Sequence, residues 1–166
     1  MARLVLVGLP GTGKTTLARA LGEEWNCAVI DTDDGLAFDM GVPAAQYLRE
    51  NGETAFRERE LEALREALTS DGVVATGAGV VSIPEARELL AAEFTLWLDC
   101  DDATLLERVG AGERPLLGDD HAAALKDLRF RRESWYDQCS RARVDSSGSL
   151  DDVVHQVLGA VESFQS

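Results

Sequence analysis

The chain has 166 residues, of which 30 are acidic and 16 basic, giving a net charge of −14 with 45% hydrophobic and 28% charged residues. That length suits one compact unit around a single core, and so acidic a field repels phosphate backbones, which excludes nucleic acid and anionic membrane surfaces as expected partners. No apolar run reaches about 18 residues, the first residues lack a signal-peptide pattern, and the three cysteines, Cys27, Cys100 and Cys139, suggest neither a disulfide framework nor a zinc site, so a reducing cytoplasm is the expected setting.

In chain order, Leu4–Val7 reads as a strand buried on both faces, running straight into a glycine-rich turn. A helix is expected over Lys14–Trp25, then a strand over 28–30 that ends at Asp31. Two helices follow near 43–50 and 53–68, the second with Phe56, Leu61, Leu64 and Leu68 close to helical spacing. Residues 73–76 form a third strand leading into Gly77-Ala78-Gly79, and 84–91 a helix with proline in its first turn. A fourth strand covers 94–98, and Asp101-Asp102 caps a helix over 103–109. A polar, glycine-rich stretch at 110–120 separates it from a long helix over 121–140 and a short strand at 142–144. Ser149 caps a last amphipathic helix. Strands alternating with helices predict a parallel sheet covered on both faces, with ligands collecting at the strands' carboxyl ends.

Gly8-Leu9-Pro10-Gly11-Thr12-Gly13-Lys14-Thr15-Thr16 fits the phosphate-binding pattern G-x-x-x-x-G-K-[ST] in full, between a strand and a helix. Glycines let backbone N–H groups turn inward around a phosphate, and the helix that follows aims its positive end at the same point. Lys14 is suited to β/γ oxygens of ATP and the Thr15 hydroxyl to Mg²⁺. Neither asparagine, Asn26 nor Asn51, precedes a lysine, so the guanine-reading Asn-Lys-x-Asp motif of GTPases is missing.

Asp31-Thr32-Asp33 stands at the end of the second strand, where an extended segment turns alternate carboxylates toward one site. Phosphoryl transfer needs an acid to hold magnesium and another to take the acceptor hydroxyl's proton; a plain acidic turn is the bland alternative. Phe56-Arg57 on a helix, Gly77-Ala78-Gly79, Arg114-Pro115-Leu116-Leu117, and Arg132 with Tyr136 complete the set. Each arginine has a bland alternative too: a solvated Arg57–Glu60 pair, a row of exposed arginines at 129, 131 and 132, and plain loop surface for Arg114.

In this order the motifs resemble the shikimate kinase family, with its P-loop, D-[ST]-D, F-R, G-G-G, R-P-L-L and late arginine before L-Y, from Gly8 to about Val144. The resemblance implies a single three-layer α/β/α P-loop kinase domain over 1–166. Its five-stranded parallel sheet has the order 2-3-1-4-5, with a substrate-binding helical region at about 34–60 and a lid at about 110–120. It implies transfer of phosphate from ATP, with Mg²⁺, to the 3-hydroxyl of shikimate, a hydroxy-carboxylate of aromatic amino-acid biosynthesis, by a monomer. Gly8, Gly11, Thr12, Gly13, Lys14, Thr15 and Thr16 then hold the nucleotide, Arg108 lies near the adenine, and Asp31 holds magnesium through water. Asp33 binds the substrate hydroxyls and acts as general base. Arg57 and Arg132 grip the carboxylate. Gly77, Ala78 and Gly79 line the substrate pocket with backbone amides, and Arg114 meets the transferring phosphate.

Three departures bear on the acceptor. Ala78 stands in the middle of the G-G-G turn, where a positive φ would make alanine costly by about 1 kcal/mol. Leu48 replaces a usual aromatic, and Glu113 precedes Arg114 where the family often has a basic or neutral residue. They leave open a paralogous kinase for another hydroxy acid or polyol. A nucleotide-binding protein without catalysis is a third reading, and the intact Lys14, Thr15, Asp31 and Asp33 count against it.

Overall fold

Four consecutive apolar residues, Leu4–Val7, make the central strand β1 of the computed structural model, which describes residues 2–110 and 120–166. Its neighbours are β3 (Val73–Ala75) and β4 (Thr95–Asp99), with β2 (Val29–Asp31) and β5 (Ala142–Asp145) at the edges. All pairs are parallel, and the order is β2-β3-β1-β4-β5, as the family resemblance implies.

Alternation along the strands divides the core into two layers. Val5, Val7, Val74 and Trp97 point to one face, which α3 (Ala44–Leu68), α4 (Pro84–Ala92), α5 (Asp102–Gly110) and α6 (His121–Cys139) cover through Leu64, Leu90, Leu105 and Tyr136. Leu4, Leu6, Leu96 and Leu98 point to the other, covered by Leu17 and Leu21 of α1 (Lys14–Trp25) and Val153 and Val157 of α7 (Leu150–Gln165). Because helices lie on both faces, the three inner strands carry no polar face. No helix among the described residues is long and apolar enough to cross a membrane.

The expected caps form. Asp101 accepts from the Thr104 amide at 2.8 Å, and Ser149 from the Asp152 amide at 3.2 Å. Gly52, at φ 86°, breaks α3 into the two helical arms that the sequence predicts.

One local expectation is corrected. The Asp31-Thr32-Asp33 segment does not stay extended: Asp31 closes β2 and caps a further helix, α2 (Thr32–Met40), that hydrophobic spacing does not signal. The reason is chemical, since Asp is among the strongest N-caps and Asp31 accepts from the Asp33 and Asp34 amides at 2.9 and 3.1 Å. Asp33 therefore sits in the first turn of a helix, not two steps along a strand.

At the far end of β4, the buried Asp99 carboxylate pairs with Arg143 and with Arg129 at 3.1 Å, and Arg129 also donates to the Cys100 carbonyl at 2.8 Å. This buried cluster fixes α6 against the sheet. Of the lid expected at about 110–120, residues 111–119, with Glu113 and Arg114, lie outside the described residues; Gly110 ends α5 and Asp120 caps α6.

Close approach of β2 and β3 yields a stability test. A methyl at Gly72 would overlap the Ala28 carbonyl, whereas at Gly159, on the exposed side of α7, it would meet nothing within 4 Å. Gly72→Ala is expected to destabilise the fold by about 1–3 kcal/mol, and Gly159→Ala to stabilise it by about 0.5–1 kcal/mol. Urea denaturation of both variants checks the pair, and equal midpoints would contradict the packing described.

Candidate active site

The glycine-rich loop joins β1 to α1 at the carboxyl edge of the sheet. Gly11 and Gly13 have φ of 85° and 93°, a region that side chains disfavour, so these two positions call for glycine. Lys14 donates from Nζ to the carbonyls of Gly8 and Leu9, at 2.8 and 2.9 Å, which folds its ammonium back over the loop. The Thr12 hydroxyl is buried and donates to the Leu9 carbonyl at 3.1 Å, so it shapes the loop, whereas Thr16 is exposed beside it.

A cavity of about 280 Å³ opens next to the loop, between Thr12, Gly13 and Thr16 on one side and Ser146, Gly148 and Val153 on the other. Arg108 of α5 crosses between them. Its Nη2 donates to the Ser146 carbonyl at 2.6 Å and its Nη1 lies 3.3 Å from the Thr12 carbonyl. The loop, Lys14 and this cavity fit a nucleotide, with phosphates at the loop and the base beside Arg108. Ser146 was not readable as a site residue, because nothing in its local sequence marks it.

Thr15, the first turn of α1, donates its hydroxyl to Oδ2 of Asp31. A hydroxyl and a carboxylate in contact are hard oxygen donors of the kind Mg²⁺ takes alongside phosphate and water. No group of three or more His, Cys, Asp or Glu side chains among the described residues forms a protein-only metal cage.

The acceptor side is assembled around the turn after β3. Thr32, between the two aspartates, accepts the Gly77 amide at 3.0 Å, so that amide is committed to the protein and the expectation that all three amides of the turn line a pocket is narrowed to Ala78 and Gly79. A methyl on Gly77 would collide with the Asp33 carboxylate, and one on Gly79 with the Arg57 guanidinium. The glycines thus let both side chains close on the turn. Ala78 between them needs no left-handed backbone, since Asn26 is the only non-glycine residue at positive φ among the described residues.

Arg57 pairs with Glu60, which is 7% exposed, so the pair is not the solvated one that the spacing alone allowed. Burial pushes the Glu60 carboxyl upward, Arg57 and Arg132 oppose that shift, and Asp33 adds to it. Glu60 therefore senses all three. The Nε of Arg57 is buried without a hydrogen-bond partner, with the Glu53 carboxylate 3.7 Å away. The three arginines of α6 part company: Arg129 is taken by Asp99, Arg131 pairs with Asp127 at the surface, and Arg132 is half-buried toward Glu60 and Tyr136. Glu60 and Thr32 are the functional neighbours that sequence reasoning missed or undervalued. The i,i+3 spacing from Arg57 pointed to Glu60, but nothing local revealed its burial.

Both the sequence and the fold have known counterparts. The family model described as shikimate kinase matches residues 10–162. A shikimate kinase of Symbiobacterium thermophilum is 38% identical over 93% of each chain, and one of Corynebacterium jeikeium is 37% identical over 98% of this chain and 90% of its own. A solved shikimate kinase from Acinetobacter baumannii, in complex with shikimate, superposes with a TM-score of 0.90 at 28% identity, covering 96% of this chain and 92% of that one. On this agreement of sequence and fold over nearly its whole length, the chain belongs to the shikimate kinase family.

Proposed function

We propose that the protein transfers the γ-phosphoryl group of ATP to the 3-hydroxyl of shikimate, giving ADP and shikimate 3-phosphate, as a cytoplasmic monomer. The observation that carries this reading is the closing of Asp33 and Arg57 on the Gly77–Gly79 turn, with the charge of Arg132 acting on the neighbouring Glu60, next to a phosphate-binding loop.

Asp33 takes the proton from the acceptor hydroxyl as its oxygen forms a bond to the γ-phosphorus and the bond to the β-phosphate oxygen breaks. Arg57 and Arg132 hold the acceptor carboxylate, whose charge suits two guanidinium groups and the unpartnered Nε of Arg57. Glu60 keeps the Arg57 guanidinium oriented when no acceptor is bound. Lys14 moves from the loop carbonyls to the β/γ oxygens. Thr15 and Asp31, the latter through water, would hold magnesium, which would supply charge neutralisation at the phosphates. Arg108 lies along the nucleotide base, and Arg114 meets the transferring phosphate.

Ala78 and Leu48 support one further reading, a kinase for a related hydroxy acid, because both depart from the family pattern outside the phosphate loop. ADP release coupled to a reporter enzyme, with shikimate run beside other hydroxy acids and polyols, separates the two. Turnover that depends on shikimate is the expected result, and good turnover only on another acceptor would move the assignment.

Two substitutions test the roles. Arg132→Lys replaces a planar fork with a point charge, so KM for shikimate is expected to rise by about tenfold or more while KM for ATP stays within about twofold; equal changes would remove Arg132 from the clamp. Asp33→Asn is expected to lower kcat by at least about a hundredfold while a fluorescent ATP analogue still binds. A kcat near the wild-type value would remove Asp33 as the base.

A further inference from the structure

The turn that follows β3 is anchored from a distant element. Tyr136, on α6, donates its hydroxyl to the Ala78 carbonyl at 2.6 Å, across 58 positions of chain. Its ring is 1% exposed and stacks on Trp97 of β4, with centroids 5.9 Å apart and planes 27° apart. A phenol buried this deeply needs a partner for its polar end, and the turn supplies it.

The same hydroxyl has a second neighbour. Arg132 lies four residues before Tyr136, on the same face of α6, and its guanidinium is a nearby positive charge that opposes the upward push of burial on the phenol. Burial keeps the phenol protonated by pushing its pKa upward. Its one proton goes to Ala78, and its oxygen keeps lone pairs to accept from an arginine, which has only donors. The proton of the phenol is thus committed to the Ala78 carbonyl, on the side of the ring where the positive charge of Arg132 lies near. On its other flank the turn is held by Thr32 at the Gly77 amide, and the short 3-10 segment Val80–Ser82 that follows is held by Arg87 at the Val81 carbonyl, at 2.7 Å.

We propose that Tyr136 is a positioning residue for the acceptor: its hydroxyl sets the separation between Ala78 of the substrate turn and the Arg132 guanidinium, so that ring and carboxylate of the acceptor are met in one geometry. This rests on the reading that Arg132 binds the acceptor carboxylate. Neither Ala78 nor Tyr136 lines the cavity beside Arg108, so the expected effect falls on the acceptor.

Tyr136→Phe removes one oxygen and keeps the ring and its stack on Trp97, so a purely packing role predicts little change in either substrate's KM. Positioning predicts that KM for shikimate rises about 5- to 20-fold, with KM for ATP within about twofold. An unchanged shikimate KM, or a rise in both together, would overturn the proposal. If the wild-type protein does not turn over shikimate, the functional reading fails, and the link itself is read by NMR from exchange of the Arg132 guanidinium protons with water. Exchange at least about tenfold faster in Tyr136→Phe, as loss of a buried acceptor requires, would support it, and unchanged exchange would overturn it.

Discussion

Both oxygens of the Asp31 carboxylate are engaged at once, and the two halves of the site join there. Oδ1 accepts the amides of Asp33 and Asp34, which starts α2, and Oδ2 accepts the Thr15 hydroxyl from the first turn of α1. One side chain thus fixes the helix that carries the phosphate loop against the helix that carries Asp33. Thr32, the next residue, extends the linkage to the Gly77 amide, and Tyr136 extends it from Ala78 to α6. The strand order makes this chain of contacts possible, since β2, β3 and β1 are neighbours and their carboxyl ends lie side by side.

Electrostatics within the site run against the charge of the whole. The chain carries −14, yet Lys14 and Arg108 stand at the phosphate loop and Arg57 and Arg132 stand near Glu60. Over the short distances at which substrates bind, local partners outweigh the summed field, which is screened within about 10 Å. Glu60 is the counterweight. Buried beside two arginines and Asp33, it carries a carboxyl pushed upward by burial and drawn back by the cations. Removing one partner of such a pair costs more than the pair contributes, because the other charge is left buried alone.

Much of the fold was legible because it is written in local patterns. The short apolar strands, the glycine–lysine loop and the Asp101 and Ser149 caps are each signalled by residues close in sequence, and the alternation of strand and helix implies the parallel sheet. The order of that sheet came through family resemblance. What stayed hidden depends on contacts between distant residues or on competition between local choices. Helix α2 lacks an apolar stripe and begins only because Asp31 caps it. The burial of Glu60 depends on a turn 17 positions later, where Gly77 lies against its carboxylate. The division of labour among Arg129, Arg131 and Arg132 was invisible because Asp99, which takes the first, lies 30 positions away. Ala78 is accommodated for a reason that sequence cannot display, namely a backbone that does not need positive φ.

The central claim is that the loop's phosphate is delivered to one hydroxyl of a carboxylate-bearing acceptor held by Asp33, Arg57 and Arg132. Its most direct test is a proton–phosphorus correlation spectrum of the products formed from shikimate and magnesium–ATP. A single new phosphate ester, coupled to the proton on carbon 3, is the expected result. ADP accompanied only by inorganic phosphate, or an ester on a different carbon, would contradict the geometry assigned to the acceptor site.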